Sequence, residues 1–244
     1  MSVVLHRALP LVAAMALVAP LSACGGSDAP AKPGATASAS TVAKKKPTAS
    51  ALYQQSRDSA LAAKSGHVKG SFTEDGESTA IDIAGSVDGA NQQATISTPQ
   101  GEVTMLTVGG KFWIKGDRKY WTESIDADAA KAIGAKWLVV PPAEVKDMGD
   151  TTIKNLLTEM YADASMSKLE SVATAVNEST VAGVPAYVLT DKIGGNGEIF
   201  MTADGKAQLI KLVGPKDEPG ELAFTEWNAV KPFAAPAAAQ IFTP

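Results

Sequence analysis

The chain has 244 residues, with 22 Lys and Arg against 26 Asp and Glu, a net charge of −4 and a pI near 5.3. This acidic balance, with no basic stripe beyond a few lysines near the N-terminus, argues against nucleic acid as a partner. A single cysteine excludes an internal disulfide, and two histidines leave little material for metal binding or for a catalytic triad.

The first residues have the parts of a secretory signal: His6 and Arg7, an apolar run from Leu9 to Ala19, then small residues. The run is too short to cross a bilayer, which takes about 20 apolar residues. Leu21-Ser22-Ala23-Cys24 matches the bacterial lipobox, where a thiol is acylated and the chain is cut before it. A thioether to diacylglycerol can be made only from a thiol, and Cys24 is the only one in the chain. Residues 1–23 are therefore expected to be a lipoprotein signal peptide that is removed. Cys24 is expected to be the lipidation site, holding the protein at the extracytoplasmic face of the cell membrane.

Residues 24–47 are mostly Gly, Ser, Ala, Pro, Lys and Thr, and cannot bury enough apolar surface to offset chain entropy. They read as a disordered tether that holds a domain on the order of 25 Å from the bilayer. Lys44 to Lys46 read as solvated linker or as a contact with anionic headgroups.

A single domain is expected over residues 48–244. It opens with a helix of roughly Thr48 to Ser65, with Leu52, Tyr53, Ser56, Ala60 and Ala63 at helical spacing and Gly66 as a stop. The period then changes to two: Val68, Gly70 and Phe72 alternate with polar residues, and Ile81 and Ile83 flank Asp82. Asp75-Gly76, Asp88-Gly89, Gly109-Gly110 and Gly116-Asp117 read as hairpin turns, giving about six antiparallel strands up to Trp121.

A short helix capped by Asp126 and ended by Gly134 follows, then a clearer one from Asp150 to Tyr161. There Ile153, Leu156, Leu157, Met160 and Tyr161 fall on one stripe that must cover something apolar. A weaker helical stretch is expected near Met166 to Val172. Four more strands run from about Val176 to Val230, punctuated by Ala182-Gly183, Gly194-Gly195-Asn196-Gly197, Asp204-Gly205 and Glu218-Pro219-Gly220.

About ten or eleven antiparallel strands with helices before and between them define an α+β class, a large curved antiparallel sheet with helices packed on its concave face. A sheet that large tends to curl, and the wedge between sheet and helices is either filled core or a ligand cavity.

Catalytic chemistry finds little support. After signal removal His67 is the only histidine, and Gly76-Glu77-Ser78-Thr79-Ala80 lacks the final glycine of a nucleophile elbow. Asp126-Ala127-Asp128 lacks the rest of a calcium loop, and no P-loop lysine follows Gly194 to Gly197. No catalytic residue, metal site or cofactor is assigned. What remains is apolar: Trp113, Trp121, Trp137 and Trp227, with Met105, Met148, Met160, Met166 and Met201, suit either an ordinary core or the lining of a greasy pocket.

The chain resembles the LolA-like lipoproteins of the LppX/LprG type, found in actinobacteria. The shared features are the lipobox cysteine, the polar tether and a first helix running into Ser65-Gly66-His67-Val68-Lys69-Gly70. They continue with Val108-Gly109-Gly110-Lys111-Phe112-Trp113-Ile114, Trp137 before the helices, and Val181-Ala182-Gly183-Val184-Pro185-Ala186. The resemblance implies a half-barrel sheet and helices closing a hydrophobic cavity for the acyl chains of a membrane lipid or lipoglycan, which the protein carries or loads. A transport protein of the envelope is a further partner in this picture.

The family offers no ligand-binding motif to transfer, so the cavity lining follows from parity alone. Leu156, Leu157 and Met160 are expected from the covering helix, and Phe72, Ile81, Ile83, Ile96, Phe112 and Ile114 from the concave strand face. The competing reading is a non-enzymatic envelope interaction or sensor module with the same fold and a filled core. An envelope hydrolase using His67 is a third class, without a visible nucleophile.

Overall fold

The computed structural model describes residues 46–74, 76–141, 143–145, 151–162, 174–190 and 197–243. The expected signal segment, Cys24, the expected tether up to residue 45, Met148 and the expected helical stretch near Met166 to Val172 lie outside the described residues.

Helix α1 (Ala49–Leu61) begins where Thr48, in extended backbone, accepts a hydrogen bond from the Ala51 N–H. It stops short of the expected Ser65 because Ser65 and Gly66 already pair with the next hairpin arm as the start of β1 (Ser65–Glu74). Strands β2 (Glu77–Ser86), β3 (Asn91–Thr98), β4 (Gly101–Val108) and β5 (Lys111–Gly116) continue the meander.

That makes five strands where six were expected, and Trp121 is a helical residue. The reason is local. Asp117 caps α2 (Arg118–Ser124) by accepting a hydrogen bond from the Tyr120 N–H at 2.7 Å. Gly116-Asp117 is thus a handover from strand to helix, and Pro99-Gln100 makes the hairpin between β3 and β4. A Cβ on Gly116 would lie 2.4 Å from the Tyr120 ring, so any other residue would have to displace that side chain for α2 to fold back onto β5.

Helix α3 (Ala127–Ile133) is capped by Asp126 and ends at Gly134, as expected. The three-residue strand β6 (Leu138–Val140) follows, too short to show a period. Helix α4 (Ile153–Met160) is shorter than expected because Thr152 is its cap, accepting from the Asn155 N–H. The chain then forms β7 (Ala175–Val181), β8 (Val184–Thr190), β9 (Glu198–Thr202), β10 (Leu209–Val213) and β11 (Gly220–Thr225), five strands where four were expected.

All eleven strands form one open, curved antiparallel sheet in the order β6-β5-β4-β3-β2-β1-β11-β10-β9-β8-β7. Two meanders therefore meet at a single seam, where the first strand pairs with the last.

Cross-strand register puts Val68, Ile83, Ala94, Met105 and Ile114 in one row on one face of the sheet, with Phe224 beside Val68. Leu52 and Tyr53 of α1, Ile153 and Leu157 of α4, Trp121 of α2 and Ile133 of α3 pack against this face in the main core. The two covering helices are tied to each other. The Tyr53 hydroxyl donates to the Met160 carbonyl at 2.8 Å, Ser56 Oγ lies 2.6 Å from Tyr161 Oη, and the two tyrosine rings meet edge-on.

Burial pushes the Tyr161 hydroxyl well above the ordinary tyrosine range, with the Ser56 hydrogen bond pulling the other way. A raised folded value favours the neutral form, so this contribution to stability is complete below the unfolded value of about 10 and is lost as pH rises through the folded value. In an alkaline absorbance titration at the tyrosinate band, Tyr161 should ionise only with unfolding, and Tyr161→Phe should remove that late step. A Tyr161 signal that titrates before the protein unfolds would contradict the packing.

Gln92 is the polar clamp between sheet and helix. Its buried side chain donates from Nε2 to the Thr151 carbonyl at 2.7 Å and accepts from the Ile153 N–H at 3.2 Å. Gln92→Ala should cost about 2 kcal/mol in denaturant unfolding, because it strands a buried N–H at the head of α4. A loss within error of zero would show that the helix head is not held this way.

The opposite face is covered near β6 by the C-terminal segment. Asn91 accepts from the Phe233 N–H at 2.8 Å and donates to its carbonyl at 2.9 Å. Ile241 forms a parallel bridge with Trp137, which borders β6. A second, smaller core results, made of Leu106, Trp113 and Trp137 with Val108, Phe233 and Ile241 against them.

Candidate functional site

The residues expected to line a cavity all belong to the main core or pack against it. Parity places Phe72, Ile81, Ile83, Ile96, Phe112 and Ile114 on the helix-bearing face, and Leu156, Leu157 and Met160 lie on α4. Most of them are in solid contact. Leu157 has no exposed surface, Ile81, Ile83 and Ile114 are buried, and Phe72, Ile96, Leu156 and Met160 are partly buried at the margin. Among these residues Phe112 alone borders a described pocket, and it borders two.

The inner pocket, about 220 Å³, lies between the sheet and the head of α4. Ala94, Met105 and Phe112 form its floor, Thr151 and Thr152 its roof, and the β2–β3 turn with Asp88 closes one end. The Ala90 backbone N–H, with Ser86, holds the Asp88 carboxyl below the usual carboxylate range, so this end stays negative at neutral pH. The outer pocket, about 370 Å³, lies at the rim of β5 and β6. Trp113, Val139, Val140 and Ile241 line it, and Lys111 stands at its edge. Val139 is 54% exposed at this rim.

Phe112 and Val145 belong to both pockets, so one apolar wall separates them. Sequence reading missed this site for an identifiable reason. Parity selects the face of a strand, whereas a pocket forms where helices leave that face uncovered. Met105 and Trp113, named from composition as pocket material, do lie on it, while Trp121 is core and Trp227 donates its indole N–H to the Leu209 carbonyl.

His67 lies on the face away from the main helices. Its Nε2 is 2.7 Å from Asp82 Oδ1 and its Nδ1 is 3.5 Å from Glu226 Oε1, while Lys69 Nζ is 2.7 Å from Asp82 Oδ2. Burial tends to raise the Asp82 carboxyl, but hydrogen bonds from Lys69 and His67 outweigh it and hold the group below the usual range. These contacts make His67 part of a polar surface cluster with Lys69, Asp82 and Glu226.

No protein-family model and no curated protein matches the chain. Among solved structures, LprF from Mycobacterium bovis is similar over 79% of this chain and 99% of its own, with 14% identity and a TM-score of 0.52. The Mycobacterium tuberculosis lipoprotein LppX is similar over 74% of this chain and 97% of its own, with 15% identity and a TM-score of 0.41. An uncharacterized conserved protein from Thermus thermophilus is similar over 80% of this chain and 98% of its own, at 10% identity and a TM-score of 0.35. The class defined by the open eleven-stranded sheet and its helices is thus the LppX/LprG-like fold, as the sequence resemblance implied. At this identity the likeness to LprF is one of fold. No described helix is long and apolar enough to cross a membrane.

Proposed function

We propose that this chain is a membrane-anchored lipoprotein that binds the acyl chains of a lipid or lipoglycan and carries or presents them in the cell envelope. The observation that carries the reading is the pair of apolar pockets meeting at Phe112 and Val145. The outer one is within the size range of small-molecule sites, roughly 300 to 1,000 Å³. The lipobox at Cys24 and the fold shared with LprF support it. The mechanism is burial without bond making: an acyl chain exchanges the bilayer for an apolar groove, and the groove spares it the cost of about 0.8 kcal/mol that each methylene would meet in water. The tether gives the domain reach toward a donor membrane or an envelope transport protein.

One observation favours a second reading, an interaction or sensor module with a filled core. At about 220 Å³ the inner pocket is below the usual ligand size, and Ile153 and Leu157 of the covering helix are fully buried in the core. Mass spectrometry of organic extracts separates the two. Folded, non-acylated protein made in a lipid-rich host should release bound lipid in near-stoichiometric amount. A clean extract would favour the filled module and overturn the carrier.

A further inference from the structure

The outer pocket touches both faces of the sheet. Phe112 and Val140, paired in register, belong to the helix-bearing face, while Trp113 and Val139, the next pair along, point the other way, and all four line the pocket. A pocket shared by both pairs turns around the rim of β5 and β6. It leads from the wall at Phe112 and Val145 out to the face that the C-terminal segment covers.

Ile241 is the lining residue that this segment supplies, and it reaches the rim with its backbone already fixed. A single 3-10 turn (Ala238–Gln240) precedes it, and the Gln240 side chain locks that turn by accepting a hydrogen bond from the Ala237 N–H at 3.0 Å. The backbone on either side of Ile241 is bonded to Trp137. The Trp137 N–H donates to the Gln240 carbonyl and the Phe242 N–H donates to the Trp137 carbonyl, both at 2.8 Å.

Upstream, Asn91 holds the segment at Phe233, and from Ala234 to Ala239 the chain is alanine with one proline. Those residues have little with which to fill space, so Ile241 is the first large side chain after Phe233. It is half-buried: it packs on the small core of Leu106, Trp113 and Trp137 and also bounds the pocket. A methylene that meets such a wall either stays in water or forces well-packed groups aside, and both outcomes cost binding energy.

We propose that Ile241 is a specificity-determining residue, the stop at the outer end of the groove that sets the longest acyl chain accepted, with Asn91 as its positioning residue. The inference rests on the acyl-binding reading and deepens it by giving the course of the chain end: past Phe112, around the rim, and against Ile241.

The test is the length profile of binding. Saturated fatty acids of about 10 to about 20 carbons displace cis-parinaric acid from the full-length chain carrying Cys24→Ser, the same background for every variant. Ile241→Ala removes about three methylene equivalents from the wall, so the tightest-binding length should rise by about two carbons, with roughly tenfold tighter binding of the longest acids. Ile241→Phe should lower that length. Should either variant fail to fold, Ile241→Val carries the same test with a rise of about one carbon.

Asn91 borders neither pocket, yet Asn91→Ala should broaden the profile, because the segment that brings Ile241 to the rim loses its upstream anchor. Val68→Ala opens a cavity in the main core, away from the pockets, and should lower stability without moving the profile. Folded Ile241 variants with the parent's length profile would overturn the inference and leave the acyl-binding reading standing. An equal shift in Val68→Ala would also overturn it, since general loosening would then explain the change. No binding of any acid by the parent would overturn both.

Discussion

Replacing Cys24 by serine should abolish the lipid anchor and, in the form of the variant from which residues 1–23 have also been removed, release the protein from the membrane. Two acyl chains of about 16 carbons on the cysteine provide on the order of 20 kcal/mol of favourable transfer at about 0.8 kcal/mol per methylene, whereas a single chain would give only reversible attachment. Serine offers no thiol, and Cys24 is the only cysteine in the chain. Lys44 to Lys46 would compensate little even on an anionic surface, where a lysine is worth about 1 kcal/mol. The measurement is detergent-phase partition of the two chains, together with the mass of the N-terminal peptide of the parent. That mass should show a chain beginning at an acylated Cys24. A parent peptide with an unmodified cysteine would sink the anchor, whatever the fate of the variant.

The second large effect is expected at Gly70. This residue is in the middle of β1, opposite Leu222 of β11 and Ile81 of β2. A Cβ there would lie 1.9 Å from the Glu221 carbonyl oxygen and 2.9 Å from the Leu222 Cα, both backbone atoms of β11. Backbone in the middle of a paired strand has no rotamer with which to move aside, so even alanine must push β1 and β11 apart. That seam is where the two meanders join, and Val68 and Phe224, both almost fully buried, pack across it. Gly70→Ala should cost about 3 kcal/mol or more and lower the melting temperature by roughly 10 °C. Gly109→Ala is the control: it has φ +58 in an open turn, and a Cβ there meets nothing, so its cost should be near 1 kcal/mol. If Gly70→Ala melted no lower than Gly109→Ala, the close approach at the seam would be wrong.

Much of the fold was legible because short-range chemistry decides it. Thr48 and Asp126 cap helices where their side chains predicted, the stripe of Ile153 and Leu157 faces the sheet, and parity put Ile81, Phe112 and Ile114 on the covered face. The errors were local. Gly116-Asp117 has the composition of a hairpin turn, yet Asp117 also suits a helix cap, and the nearby Tyr120 N–H decided between them. Strand β6 could not be seen, since Leu138 to Val140 is too short to alternate and owes its place to pairing with Phe112 to Ile114.

The candidate site was legible only in part. Composition singled out Met105 and Trp113, but nothing local distinguishes them from Met201, which is fully buried core. Whether a residue borders a pocket depends on where the helices stop. That is fixed by clamps such as Gln92 to Thr151 and by the C-terminal segment bringing Ile241 to Trp137, contacts between residues far apart in the chain.

The seam between β1 and β11 also orders the events of folding. Each meander is built from neighbours in sequence and can zip from its own hairpins, but joining them means closing a loop that runs from Phe72 to Gly220. Until the last strand arrives, β1 presents a bare edge in what will become the middle of the sheet, the arrangement most open to pairing with another chain. Slow closure at this one pairing would therefore govern both the refolding rate and the tendency to aggregate. Sequence changes that speed the formation of either half should do little for the yield unless they also hasten the meeting of the first strand with the last.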